Sequence, residues 1–164
     1  MAVRIKSDLS VWRKLKRNFD KANRVEGKLG WFAEDRYGPE NSNEQMAQVA
    51  KWVEEGHVGG GWVDPSNITP PRPVMRVGLA EAFKVGYNKD SFEAMARDVM
   101  KGHSVLTFLN KSDGPFRETL RNTMTAWFDP PNSDMTIDLK GFDDPWIETG
   151  ELRDNVNFKV GKVE

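Results

Sequence analysis

The sequence predicts an α+β fold, and three observations carry that prediction. Apolar residues recur at three- and four-residue spacing in several separate stretches, the mark of helices with one buried face. Besides a short stretch at Val3-Arg4-Ile5, two stretches read as strands: Lys28-Leu29-Gly30-Trp31-Phe32-Ala33, and a closing segment in which Val156, Phe158 and Val160 alternate. Between them lie glycine- and proline-rich stretches that neither pattern can cross.

The elements follow in order. Val3-Arg4-Ile5 alternates as a short first strand. Ser7 or Asp8 caps a helix in which Leu9, Trp12, Leu15, Phe19 and Ala22 form the apolar stripe, leaving Arg13, Lys14, Lys16, Arg17 and Lys21 outside it. After Gly27 comes the strand at 28–33, where Gly30 suggests a bulge or a close backbone approach. Asn43 caps a helix from Glu44 to Glu55, with Met46, Val49, Ala50 and Val53 buried. Residues 56–73 form a loop excursion, because Gly59-Gly60-Gly61 and Pro65 suit no regular element. Pro70-Pro71-Arg72-Pro73 holds extended backbone and presents Val74, Met75 and Val77 in a fixed direction.

Helical spacing resumes at Leu79 and breaks near Gly86-Tyr87-Asn88. Asp90 with Glu93 resembles a capping box opening a helix from Ser91 to Lys101. Ser104 to Leu109 is a short helix, and Asp113-Gly114-Pro115 starts another that runs to Phe128 with Phe116, Leu120, Met124 and Trp127 on one face. Asp129-Pro130-Pro131 stops that helix. Residues 129–145 are then a linker before the Thr149-Gly150 turn and the last strand.

The 164 residues suit a single domain, 1–164. Apolar content of 38% and a mean hydropathy of −0.65 are low, but six tryptophans and nine phenylalanines supply large buried areas. With no cysteine, disulfides and thiolate metal sites are excluded. No apolar run reaches membrane-spanning length and the first residues lack a signal-peptide core, so no membrane partner and a cytoplasmic site of synthesis are expected. The net charge of −1 hides an uneven distribution. Residues 4–28 carry nine basic and three acidic side chains, and residues 129–164 carry nine acidic and four basic ones. Such ends can pair within one chain, stay solvated, or meet between identical subunits.

No catalytic constellation emerges, and no cofactor is implied. His57 and His103 stand in separate segments without a second ligand at metal spacing. Asp143-Asp144 and the pair Asp134 and Asp138 are the carboxylates available to magnesium, but the first pair diverges if extended and the second falls in a segment without a regular pattern. The triple glycine lacks the Gly-Lys-Ser/Thr ending of a phosphate loop, and none of the serines sits in a Gly-x-Ser-x-Gly elbow. Glu148-Thr149-Gly150-Glu151 is a turn, with glycine supplying the permissive backbone. The chain reads as a non-enzyme.

Five phrases, colinear from Leu29 onward, carry a resemblance: Leu29-Gly30-Trp31-Phe32; the helix from Met46 to Val53; Pro70-Pro71-Arg72-Pro73-Val74-Met75-Arg76; Pro130-Pro131 with Lys140-Gly141; and Pro145-Trp146-Ile147-Glu148-Thr149-Gly150-Glu151-Leu152. In that order they resemble the tail-completion and neck proteins of tailed bacteriophages. The departures are Trp146 where a smaller aliphatic is usual, a long excursion before the proline block, and a linker at 132–138 poor in Ser and Thr. The resemblance implies a small antiparallel sheet flanked by helices, in a structural virion protein that forms a homo-oligomeric ring, most often a hexamer. Its partners would be further copies of itself, connector or adaptor proteins of the head, and tail-tube or terminator proteins. DNA would pass through the lumen without sequence readout, and the chain would reside in the virion neck after assembly in the bacterial host cytoplasm. Trp62, Arg72, Pro73, Arg76 and Trp146 are the candidate subunit-interface residues under that reading. The alternative is a nucleic-acid-binding protein that uses the basic first helix.

Overall fold

The computed structural model describes residues 9–58, 68–86 and 89–163, the side chains of 85 and 86 excepted. In chain order these form helix α1 (Ser10–Ala22), strand β1 (Val25–Gly30), a 3-10 turn (Pro39–Asn41), α2 (Met46–Glu55), β2 (His57–Val58), β3 (Ile68–Thr69), α3 (Val74–Gly86), α4 (Lys89–Lys101), α5 (Val105–Thr125), α6 (Asp134–Lys140), α7 (Glu151–Asp154) and β4 (Asn157–Lys162). The fold is α+β. Strands β1 and β4, from opposite ends of the chain, pair antiparallel with Leu29 opposite Phe158, and β2 pairs with β3 in a separate two-residue ribbon. The strand expected at Val3–Ile5 lies outside the described residues.

The core is built where α3 and α5 pack together and α2 and the closing segment cover them. Met46 and Ala50 of α2, Val74 of α3, Leu120 and Met124 of α5, and Trp146, Leu152 and Val156 form one buried cluster. Glycine at 78 is what lets α3 approach α5, because a Cβ there would stand 2.8 Å from Leu120 Cδ1. Phe116 of α5 meets Phe158 of β4 edge-on at 5.9 Å, which ties the β1–β4 ribbon to the helical layer.

Four sequence expectations are revised. The early strand occupies Val25–Gly30 rather than 28–33, so Trp31 and Phe32 follow it instead of belonging to it. Helix α3 opens at Val74, directly after the proline block, because the Glu54 carboxylate of α2 accepts hydrogen bonds from the amides of Met75 (2.7 Å) and Arg76 (3.1 Å). That carboxylate supplies the N-terminal cap that no residue near 74 could.

The expected break at Asp113-Gly114-Pro115 does not occur, and α5 runs through it as one helix of 21 residues. The Asp113–Arg117 ion pair spans the proline, at 2.5 Å from Nε to Oδ1. The buried stripe Ser112, Phe116, Leu120 and Met124 continues on both sides of it. Packing along that stripe outweighs the roughly 3 kcal/mol that an interior proline costs. Finally, the stretch 129–145 contains α6, capped by the Ser133 hydroxyl, which accepts from Thr136 N, and ended by Gly141 at φ 79°.

Candidate assembly surfaces

The proline-arginine block is a joint inside the subunit. The Arg72 amide donates to Val53 O at 2.9 Å, which docks the extended segment on the end of α2. Its guanidinium then forks, Nε donating to Pro130 O (2.9 Å) and Nη2 to Pro131 O (2.7 Å). Pro130 and Pro131 lie past the end of α5 at Thr125, so their carbonyls have no helical donor, and a planar guanidinium suits two of them at once. Arg72 is only 6% exposed, and burial pushes its guanidinium below its ordinary value while the Asp143 carboxylate opposes that shift.

Trp146 is likewise internal, 3% exposed. Its ring stacks on Trp31 with centroids 6.4 Å apart and planes 13° from parallel, while Trp31 Nε1 donates to Leu152 O at 2.8 Å. The expectation that Arg72 and Trp146 stand exposed as subunit anchors is therefore corrected. A buried guanidinium already committed to two carbonyls, and an indole already stacked, are not surface features. Pro73 is half-buried, Arg76 is exposed on the first turn of α3, and Trp62 lies outside the described residues.

The surface of the subunit has a different set of apolar groups. Helix α1 has no buried residue. Leu15, Asn18 and Ala22 form its shielded side toward α4, with Asn18 Nδ2 donating to Met100 O at 3.3 Å. Its other apolar residues face outward: Val11 is 74% exposed, Trp12 62% and Phe19 41%. Arg13, Lys14, Lys16, Arg17 and Lys21 are exposed around them.

A second patch surrounds α6, where Phe128, Met135, Leu139 (80% exposed) and Phe142 stand in solvent beside Asp129, Asp134, Asp138 and Asp143. Because α6 is a helix, Asp134 and Asp138 do share a face, one turn apart.

Between the 3-10 turn, α2, α6 and the 145–152 segment lies an open cleft of about 670 Å³, lined among others by Tyr37, Glu44, Lys140 and Glu148. Burial, with Glu151 and Glu148 adding to it, pushes the Tyr37 phenol up to about 12. Burial also lowers the Lys140 ammonium, against the attraction of Glu148 and Asp144. Lys140 Nζ donates to Asp144 O at 2.7 Å and lies 4.8 Å from the centre of the Phe142 ring. The amine is thereby engaged in closing the turn after α6.

Elsewhere the chemistry-bearing residues stand apart. His57 lies beside the Trp52 ring, His103 pairs with Asp98 at 3.6 Å, and Asp143 Oδ1 accepts from Asn132 N at 2.9 Å. Among the described residues no group of three or more His, Cys, Asp or Glu side chains gathers to hold a metal ion, and no helix is long and apolar enough to cross a membrane. Comparison with protein-family models, curated proteins and solved structures finds no match.

Proposed function

We propose that this chain is a non-enzymatic structural subunit of a tailed-phage neck, forming an oligomeric ring that joins the head connector to the tail. The observation that carries the reading is the convergence of the phrases in which the sequence resembles that family. Arg72 of the proline-arginine block bonds to both carbonyls of the Pro130–Pro131 pair, Trp31 after β1 stacks on Trp146 of the closing phrase, and Met46 and Ala50 of α2 pack in the same core. Phrases scattered over more than a hundred residues thus form one structural unit, as a signature tied to a fold should. The outward apolar faces of α1 and α6 supply what an assembly subunit needs, since contiguous exposed apolar groups rimmed by charge suit protein contacts.

The test is binding to connector-bearing, tail-less capsids, read by co-sedimentation and by particle images of the neck. Density for a ring at the connector is the expected result. A protein that stays monomeric and fails to sediment with capsids would refute the reading.

The exposed basic side chains of α1 favour one rival, a nucleic-acid binder. It requires affinity for duplex DNA that falls steeply with salt, measured by fluorescence anisotropy.

A further inference from the structure

The two exposed amphipathic patches are complementary to each other, and we propose that α1 of one copy of the chain docks on the α6 ledge of the next. The proposal rests on the assembly reading above and gives it an interface.

The helical repeat sets the geometry. In α1, Trp12 and Phe19 fall along one line, seven residues apart, with Lys16, Arg13 and Arg17 on the flank beside it. In α6, Met135 and Leu139 fall along one line with Asp134 and Asp138 on the line beside it. Each patch is therefore an apolar row next to a charged row, and the charges are opposite. Helix α1 carries five basic side chains and Asp20, whereas the ledge carries Asp129, Asp134, Asp138 and Asp143. Two cations near the ledge are already engaged within the chain: Lys140 is folded onto Asp144 O and Phe142, and Arg72, beside Asp143, forks to Pro130 O and Pro131 O.

Both patches stay exposed in the single chain, so neither is covered by the other there. A second copy brings the missing half of each pair. Apolar rows supply the buried area, and the charged rows set register and direction. Because the two patches are different surfaces, the contact is head-to-tail and repeats from subunit to subunit, as a ring requires.

The chain has no cysteine, so one introduced thiol reports one position. A Trp12→Cys chain is mixed with a Leu139→Cys chain and mildly oxidised. The expected product is a disulfide joining one chain of each kind. If wild type associates but only like variants cross-link, or none do, the ring is built through other surfaces and this proposal falls while the assembly reading stands. If wild type remains monomeric at all concentrations in sedimentation, both fall.

In parallel, Arg13→Glu with Lys16→Glu should weaken self-association about tenfold or more, and mixing with a chain carrying Asp134→Lys and Asp138→Lys should restore it. All four positions are exposed, and circular dichroism checks that the fold is kept. Loss of DNA affinity with self-association unchanged would make α1 a nucleic-acid surface and overturn the proposal.

Discussion

Replacing Arg72 with alanine tests whether the proline-arginine block is a joint within the subunit. The substitution removes two charge-assisted hydrogen bonds, of 2.9 and 2.7 Å, and leaves Pro130 O and Pro131 O without their donor. Hydrogen bonds from a charged donor contribute about 1.5–3 kcal/mol each. Arg72 is 6% exposed, so its aliphatic stem is also lost from the interior. Allowing for solvent relaxation at the emptied site, the expected loss is about 3–5 kcal/mol, a large part of the stability of an ordinary domain. Arg72→Lys keeps the charge but cannot fork to two carbonyls, so it should recover only part of that loss.

The assay is urea unfolding followed by tryptophan fluorescence at a protein concentration where the chain is monomeric. The midpoint should fall with the slope unchanged. Arg76→Ala, on an exposed side chain in the same segment, is the control and should stay within about 0.5 kcal/mol of wild type. An Arg72→Ala chain as stable as the Arg76→Ala chain would refute the reasoning, and would return Arg72 to the role of a surface arginine.

Two further outcomes follow from the structure. Trp146→Ala should cost about 3–5 kcal/mol in the same assay, because it empties a site that is 3% exposed and unstacks Trp31; a loss under about 1 kcal/mol would contradict the packing described. In a Tyr87→Phe chain, where Tyr37 is the remaining tyrosine, phenolate absorbance should rise with a midpoint of about 12 rather than near the ordinary value of 10.0. Since the folded phenol holds its proton while the unfolded one has released it, stability is full below pH 10 and declines as pH rises from 10 toward 12. A midpoint near 10, or stability flat through that window, would show the phenol to be freely solvated.

Much of the helical content was legible because it depends on local periodicity. Helices α1, α2 and α4, and the buried face at Phe116, Leu120 and Met124, follow from apolar spacing that a short window contains, but of the α1 stripe nothing is buried and of the α4 stripe only Val99. The same kind of signal was available for α6 and was outweighed by the neighbouring prolines. Ser133 before Asp134 and Gly141 after Lys140 are cap and stop at helical distance. The closing Thr-Gly pair is legible as a turn, with Gly150 at φ 84°, and the structure adds the single helical turn α7 directly after it.

What depended on distant partners was out of reach of a local reading. No window around Val74 contains Glu54, so the cap that starts α3 one residue after Pro73 could not be inferred. Nothing near Pro115 shows that α3 packs against α5 closely enough to carry the helix through. Arg72 and Trp146 look like surface residues in the sequence for the same reason. Arginine on a stiff, proline-rich segment and tryptophan before a turn look like anchors until their partners, 58 and 115 positions away, are brought against them.

By itself, then, the sequence determined the class of fold, the position of most helices, the pairing potential of the last strand and the basic and acidic ends of the chain. Only the tertiary structure decided which large side chains are consumed by the interior and which remain outside. Burial is a property of the whole packed chain: Arg72 and Trp146 went in because carbonyls and an indole far away in sequence needed them, and Trp12 and Leu139 stayed out because nothing in the single subunit covers them.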